Sequence, residues 1–345
     1  MDMSVFQVLW FFLIFVLIAG YFVLDGFDLG AGVLYPFIAK TDAEKAVVRR
    51  SVGPVWDGNE VWLLTAGGAL FAAFPKAYAT TFSGFYLAIM LVLFGLIVRA
   101  VSLEFRAHDP KWGKAWDACF FVGSLLPALL LGVAVGNIYA GIPMDANGDY
   151  AGIPLLGLVT PFTLLTGLLG LAMFLAAGAA WISVKSALDS PLRARAAKLR
   201  IPFAAAALVL FACVSAYGHF LIQPAMEPAL GAARWAFAIL FVVAIAASLA
   251  LARKEDGDKP AFLAQCAAAV VLVGLLATSM FPNLVVASAD SVGASITLMN
   301  GSATDLSLMW MTIITCIGLP LVLIYHVVIY RTFRGRISEG DVAAE

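Results

Sequence analysis

Long apolar runs separated by short polar and basic segments dominate this chain from its N-terminal end almost to its tail. A helix needs about 20 predominantly apolar residues to cross a bilayer core of ~30 Å at ~1.5 Å per residue. Blocks of that kind fall at about 6–38, 55–74, 78–98, 116–136, 155–184, 201–222, 232–252, 261–281 and 308–330. The pattern predicts nine transmembrane helices, the first and fifth long enough to tilt or bend. Lipid offers no partner to backbone polar groups, so segments this apolar are expected to be helical throughout. The outer connections at about 137–154 and 282–307 are too short for a soluble domain. Residues 1–345 therefore read as one all-α polytopic transmembrane domain.

The basic residues give an independent check, because retained cytoplasmic loops collect Lys and Arg. Alternate connections and the tail hold 19 of the 21, from the Lys40–Arg50 region through Arg99–Lys114, Lys185–Arg200 and Arg253–Lys259 to Arg331–Arg336. Only Lys76 and Arg234 fall in connections of the other parity. Nine spans with the N-terminus outside and the C-terminus in the cytoplasm are expected. The first block lacks a basic flank and a small-residue cleavage site, and so reads as a first span, not a removed leader.

Composition agrees: 63% of the 345 residues are hydrophobic and 12% charged, where soluble domains carry about a quarter charged. The formal net charge of -1 points to no particular partner. Cys119, Cys213, Cys266 and Cys316 lie apart within apolar blocks and read as small core residues.

Ionisable groups inside spans are expensive and usually face a bundle interior or a water-filled path. Asp25 lies ~30 Å along the first helix from Val5, near the inner edge of the bilayer, with Asp28 on the same face at i+3. Asp57 and Glu60 open the second helix from that same side, the third ends inward at Arg99 followed by Glu104, and the fourth begins near Asp117. These charges are expected to converge at one depth, where carboxylates beside one arginine can hold exchangeable protons. A pure helix-capping role for one of Asp57 and Glu60 is the lesser alternative. The glycines of GYFVLDGFDLGAG, from Gly20 to Gly32, allow close helix packing but do not explain two aspartates.

His108, His219 and His326 show no paired heme-ligand spacing. The segment Asp145 to Asp149 has Tyr150 and Leu156 where a calcium loop needs glycine and a bidentate acid. A phosphate-binding loop, a dinucleotide fingerprint, a nucleophile elbow and a basic nucleic-acid patch are all missing from the sequence.

The segments DGFDLGAG at 25–32, GPVWDGNEVWLLTAGGALFAAFPKAYATTFSGFYLA at 53–88 and RAVSLEFR at 99–106 give the chain its resemblance. It resembles subunit II of the cytochrome bd family of quinol oxidases, including the cyanide-insensitive branch. The resemblance implies two packed four-helix bundles plus one extra helix, in a bacterial cytoplasmic (inner) membrane. It implies a heterodimer whose subunit I carries heme b and heme d and oxidises quinol, while subunit II is heme-free. Together they would reduce O2 to water and build a proton gradient without pumping. Some members bind a structural quinone or phospholipid in subunit II, and a small accessory subunit is a further partner the family allows.

By position in these motifs, Asp25, Asp28, Asp57 and Glu60 would belong to a proton path into subunit I, with Arg99 as counter-charge and Trp62 near an O2 route. A secondary transporter is the competing class, since it too would bury carboxylates. It would be expected to break helices near midplane in two inverted halves, whereas here charge crowds the first four helices.

Overall fold

The structure is a computed structural model that describes residues 3–222, 229–254 and 256–343. Helix α1 (Val5–Ile38) starts at a capping box in which Ser4 and Gln7 satisfy each other's amides. A short amphipathic helix, α2 (Asp42–Val52), follows and packs Val47, Val48 and Val52 inward. Then come α3 (Trp56–Ala73), the short α4 (Pro75–Gly84), α5 (Tyr86–His108) and α6 (Gly113–Ala140). The second half holds α7 (Pro161–Lys185), α8 (Pro191–Tyr217, continued by a π turn Gly218–Ile222), α9 (Gly231–Leu251) and α10 (Asp258–Met280). A two-stranded antiparallel pair, β1 (Asn283–Val285) and β2 (Ile296–Thr297), leads through α11 (Leu298–Gly301) to α12 (Asp305–Thr332) and α13 (Glu339–Ala343).

Among the described residues, eight helices are long and apolar enough to cross a membrane: α1, α5 to α10 and α12. Helix α3 is not among them, because Asp57, Asn59 and Glu60 lower the hydropathy of its 18 residues.

The third block predicted at 78–98 divides at Phe85: Pro75 starts α4, and α5 runs on to His108. Arg99 is therefore mid-helix instead of at a helix end, and it is fully buried. The helix continues because RAVSLEFR consists largely of good helix formers and Arg99 finds carboxylates on neighbouring helices. In the fifth block, residues 155–160 form a loop with a 3-10 turn, Leu156–Leu158, and α7 starts at Pro161 after the Thr160 capping box. The basic segment 42–52, read as a loop, is α2.

Helix α7 is the most buried long helix and α12 the least, with 67% and 6% of their most apolar stretches buried. Helix α1 crosses α7 in backbone contact: a Cβ on Gly30 would fall 1.8 Å from the carbonyl oxygen of Phe174, and one on Gly178 would fall 2.4 Å from the carbonyl carbon of Gly30. Helices α5 and α6 meet the same way at Gly95 and Gly123, where a Cβ on Gly123 would lie 2.8 Å from the Arg99 amide nitrogen. These crossings bring α1, α3, α5 and α6 together around the buried charges.

Candidate functional site

Arg99 reaches three carboxylates from two other helices. Its Nη1 donates to Oε1 of Glu60 at 2.7 Å and lies 3.5 Å from Oδ1 of Asp25, and its Nη2 is 3.9 Å from Oδ2 of Asp28. Asp25, Asp28 and Arg99 are completely buried, whereas the Glu60 side chain is 22% exposed. Among the described residues, neither oxygen of Asp25, nor Oδ1 of Asp28, nor Nε and Nη2 of Arg99 has a protein hydrogen-bond partner. Three carboxyl groups, two of them fully buried, thus face one guanidinium, and ionisable groups gathered at such depth are a mark of a functional site.

Asp57 is not in this group. The buried face of α3 carries Asn59, Trp62, Ala66 and Ala73, while Asp57, Val61, Leu64, Gly68 and Phe71 form an exposed stripe. Glu60, one turn from Asp57, sits between the two faces and is the member of the pair that touches Arg99. Asp117 and Glu104 also stand apart from the cluster. Asp117 accepts from Lys45 Nζ at 2.7 Å, Arg106 Nε at 2.9 Å and the Tyr35 hydroxyl at 2.5 Å, which ties α2 to α1, α5 and α6. Glu104 is exposed.

Asn59 takes the inner place that two acids were expected to share. Its Nδ2 donates to Oδ2 of Asp28 at 2.6 Å and to the Leu24 carbonyl at 3.0 Å, and its Oδ1 accepts from the Tyr330 hydroxyl at 3.0 Å. Tyr330 brings α12 to the site although that helix buries little else. Asn59 was legible from helical periodicity, since it shares a face with Trp62 and Ala66; no local signal in the sequence linked it to Tyr330, 271 residues away.

Trp62 packs against Gly20 between α1, α3 and α12, and its indole N–H donates to Nε2 of His326 at 3.2 Å. His326 Nδ1 donates to the Val322 carbonyl at 2.9 Å, so both ring nitrogens are occupied in the neutral ring. His108 and His219 are exposed, on α5 and in the π turn after α8. Among the described residues, no three His, Cys, Asp or Glu side chains converge into a metal-holding group. The rejected calcium segment forms a turn in which Asp145 Oδ1 accepts the amides of Asn147 and Asp149, each at 2.9 Å.

Comparison with known proteins supplies the context for this cluster. Residues 6–333 match the family model for cytochrome bd terminal oxidase subunit II. The chain is 32% identical to cytochrome bd-I ubiquinol oxidase subunit 2 of Escherichia coli (strain K12), over 99% of this chain and 97% of that protein. It is 35% identical to cytochrome bd ubiquinol oxidase subunit 2 of Bacillus subtilis (strain 168), over 96% and 97%. Its fold superposes with a TM-score of 0.75 on a chain of the bd oxidase structure from Geobacillus thermodenitrificans, at 17% identity and covering 96% and 99% of the two chains. The chain belongs to the cytochrome bd terminal oxidase subunit II family, and is a multi-pass membrane subunit of an oxidoreductase complex that includes a subunit I.

Proposed function

We propose that this chain is the heme-free, proton-entry subunit of a bacterial inner-membrane quinol oxidase. Its partner subunit I would carry heme b and heme d, which supply electron transfer from quinol and the reduction of O2 to water. The observation that carries the reading is the contact of Arg99 with Glu60, Asp25 and Asp28. One arginine balances one carboxylate, so the cluster is neutral when two of its three carboxyls hold protons. Such a group can load and release protons without leaving a large net charge in the membrane.

The exposure of the acids gives the path an order. Asp57 meets the surroundings, Glu60 is half-covered, and Asp25 and Asp28 are sealed inside. Each carboxyl would accept a proton from its outer neighbour and pass one inward, while Arg99 holds the remaining negative charge. Trp62 is kept as a candidate for an O2 route on the family resemblance alone.

The nine-span arrangement, with α3 as the second span, a periplasmic N-terminus and a cytoplasmic C-terminus, is supported by how the basic segments meet. Arg195 on α8 pairs with Glu44 on α2, Arg50 on α2 donates to Asp341 O on α13, and Arg336 reaches Asp258 on α10. The segments rich in Lys and Arg therefore share one end of the molecule, as a cytoplasmic surface requires. Helices α7, α8, α9 and α10 pack as one group, while α1 contacts α3, α6 and α7 and α5 packs on α6; the division into two four-helix bundles with α12 as the extra helix is a family-level expectation.

The weakly buried α12 presents exposed Ile313, Ile317, Leu321 and Ile324, and the α3 stripe is similarly apolar, which suits a large intramembrane partner such as subunit I. A cavity of about 510 Å3 between α6, α7, α8, α9 and α10, with His219, Arg234 and Trp235 among its lining, suits a structural quinone or phospholipid. A small accessory subunit remains a family-level expectation, and the family match leaves the transporter class without support.

Co-expression with subunit I tests the reading. The purified complex should show the b and d heme bands in its reduced-minus-oxidised spectrum, and this chain purified alone should show none. Heme retained by the isolated chain would overturn the heme-free assignment.

A further inference from the structure

Tyr21 stands one turn before Asp25 on α1, four residues away and so on the same face. It is only 1% exposed. Its ring packs with Leu17, Trp62 and Ala66, and its hydroxyl adjoins the Asp25 carboxyl, with Arg99 and Glu60 close by. Packing accounts for the ring but not for the hydroxyl, whose burial costs free energy that a phenylalanine at this position would avoid.

The three carboxyl groups of the cluster differ in the donors they meet. Glu60 accepts from Arg99 Nη1 at 2.7 Å, and Asp28 accepts from Asn59 Nδ2 at 2.6 Å. Asp25 has Arg99 Nη1 at 3.5 Å, the nitrogen already given to Glu60, and among the described residues it accepts no protein hydrogen bond of ordinary geometry. The Tyr21 hydroxyl is the further donor beside it. A guanidinium and an amide nitrogen only donate, whereas a hydroxyl both donates and accepts. By turning about its C–O bond, Tyr21 can donate to a charged Asp25 and accept from a protonated one.

We propose that Tyr21 is the positioning residue for the hand-over of a proton from Glu60 to Asp25, an inference that rests on the cluster carrying protons. Before the step, the Tyr21 hydroxyl donates to the charged Asp25. The proton leaves an oxygen of Glu60 and bonds to an oxygen of Asp25, and the negative charge passes to Glu60. The hydroxyl then turns to accept from the new O–H of Asp25, so Tyr21 itself neither gains nor loses a proton. Arg99 Nη1 lies within 3.5 Å of one oxygen from each acid, so the charge changes place without moving the guanidinium. A donor of fixed direction would favour the charged form of Asp25 alone, whereas one that reverses serves both forms.

The charged and titratable groups that face Asp25 are Arg99 from α5, Glu60 from α3, Asp28 on α1 itself and, through Asn59, Tyr330 from α12. Helices α6, α7 and α10 meet this stretch of α1 with Ser124, Phe174 and Phe262, none of which titrates.

The test uses the complex with subunit I and follows quinol oxidase turnover against pH. Tyr21→Phe keeps the ring and removes only the hydroxyl. The charged Asp25 then loses a donor, so the alkaline limit of turnover should move up by about one pH unit, with turnover at neutral pH about threefold to tenfold lower. A ring-fluorinated tyrosine in place of Tyr21 is a stronger donor, should move that limit down, and carries the comparison if Tyr21→Phe does not fold. In an Asp25→Asn background, Tyr21→Phe should move it no further. Lower turnover with an unmoved limit would assign Tyr21 to packing alone and overturn the inference, as would an equal movement in the Asp25→Asn background. An unmoved limit in Tyr21→Phe beside slowed proton uptake in Asp25→Asn with Asp28→Asn sinks only the role of Tyr21. Uptake at the wild-type rate in that double variant sinks the path and this role together.

Discussion

Asn59 donates its side-chain amide to Oδ2 of Asp28 at 2.6 Å, and through that bond an amide on α3 fixes which oxygen of a buried carboxylate faces Arg99. The same Asn59 receives the hydroxyl of Tyr330, so α12 reports on the state of a site formed mainly by α1, α3 and α5. Replacing Asn59 by Leu removes both of these bonds and the one to the Leu24 carbonyl, with little change in volume. A hydrogen bond to a charged group contributes ~1.5–3 kcal/mol, so turnover of the oxidase should fall by about tenfold or more. Tyr330→Phe removes only a neutral bond worth ~1 kcal/mol and should have a smaller effect. Steady-state quinol oxidation by both variants checks the order.

Arg99 should matter more for assembly than any one of its acids. Arg99→Met leaves the negative charge of the cluster, two of whose three carboxyl groups are fully buried, without a counter-charge, and breaking a buried pair from one side costs ~3–5 kcal/mol. The variant complex should melt at clearly lower temperature or fail to assemble. Combining it with Asp25→Asn and Asp28→Asn should recover stability without recovering turnover. Melting curves of the single and triple variants, set beside their oxidase activity, separate the two effects.

The α1 and α7 crossing allows no side chain at its centre. A Cβ on Gly30 would lie 1.8 Å from a main-chain oxygen that cannot rotate away, so Gly30→Ala must push the helices apart. Overpacking of this kind costs ~1–3 kcal/mol or more. Gly68, with nothing near its Cβ position, is the control: Gly68→Ala should leave the yield of folded chain unchanged.

The sequence told most about depth and least about direction around each helix axis. Hydropathy located the long helices, and the DGFDLGAG segment correctly set Asp25 and Asp28 on one face, both now seen against Arg99. The i, i+3 spacing of Asp57 and Glu60 suggests a pair, yet neighbours at that spacing can straddle the edge of a buried face. Periodicity from Trp62 and Ala66 points inward at Asn59, which leaves Asp57 on the exposed stripe. The hydropathy pattern ends the third span at Arg99, because basic residues usually mark the cytoplasmic boundary. Tertiary pairing with three acids overrode that rule. Helix α2 was signalled by Thr41 and Glu44, a capping box ahead of inward valines, and was hidden by its basic composition.

Glu44 gives the inner face an acid limit. Burial works against its charged form, but the Lys40 and Thr41 amides and Arg195 outweigh it and hold the carboxyl below its usual value of 4.5. A depressed carboxyl stabilises the fold above its unfolded value, and that contribution is lost as pH falls through the lower folded value. The attachment of α2 to α8 should therefore weaken only on acidification below about pH 4.5. Amide exchange in α2 should rise in that range for the wild type, and should be high and independent of pH there for Glu44→Gln.

Proton uptake during single turnover gives the most direct test of the buried cluster. The complex, reconstituted in vesicles with a pH dye on the cytoplasmic side, is reduced and then given O2. Asp25→Asn with Asp28→Asn should slow proton uptake and oxidase turnover together by about tenfold or more, while the heme spectrum is preserved. Uptake as fast in that double variant as in the wild type would contradict a proton path through Asp25 and Asp28.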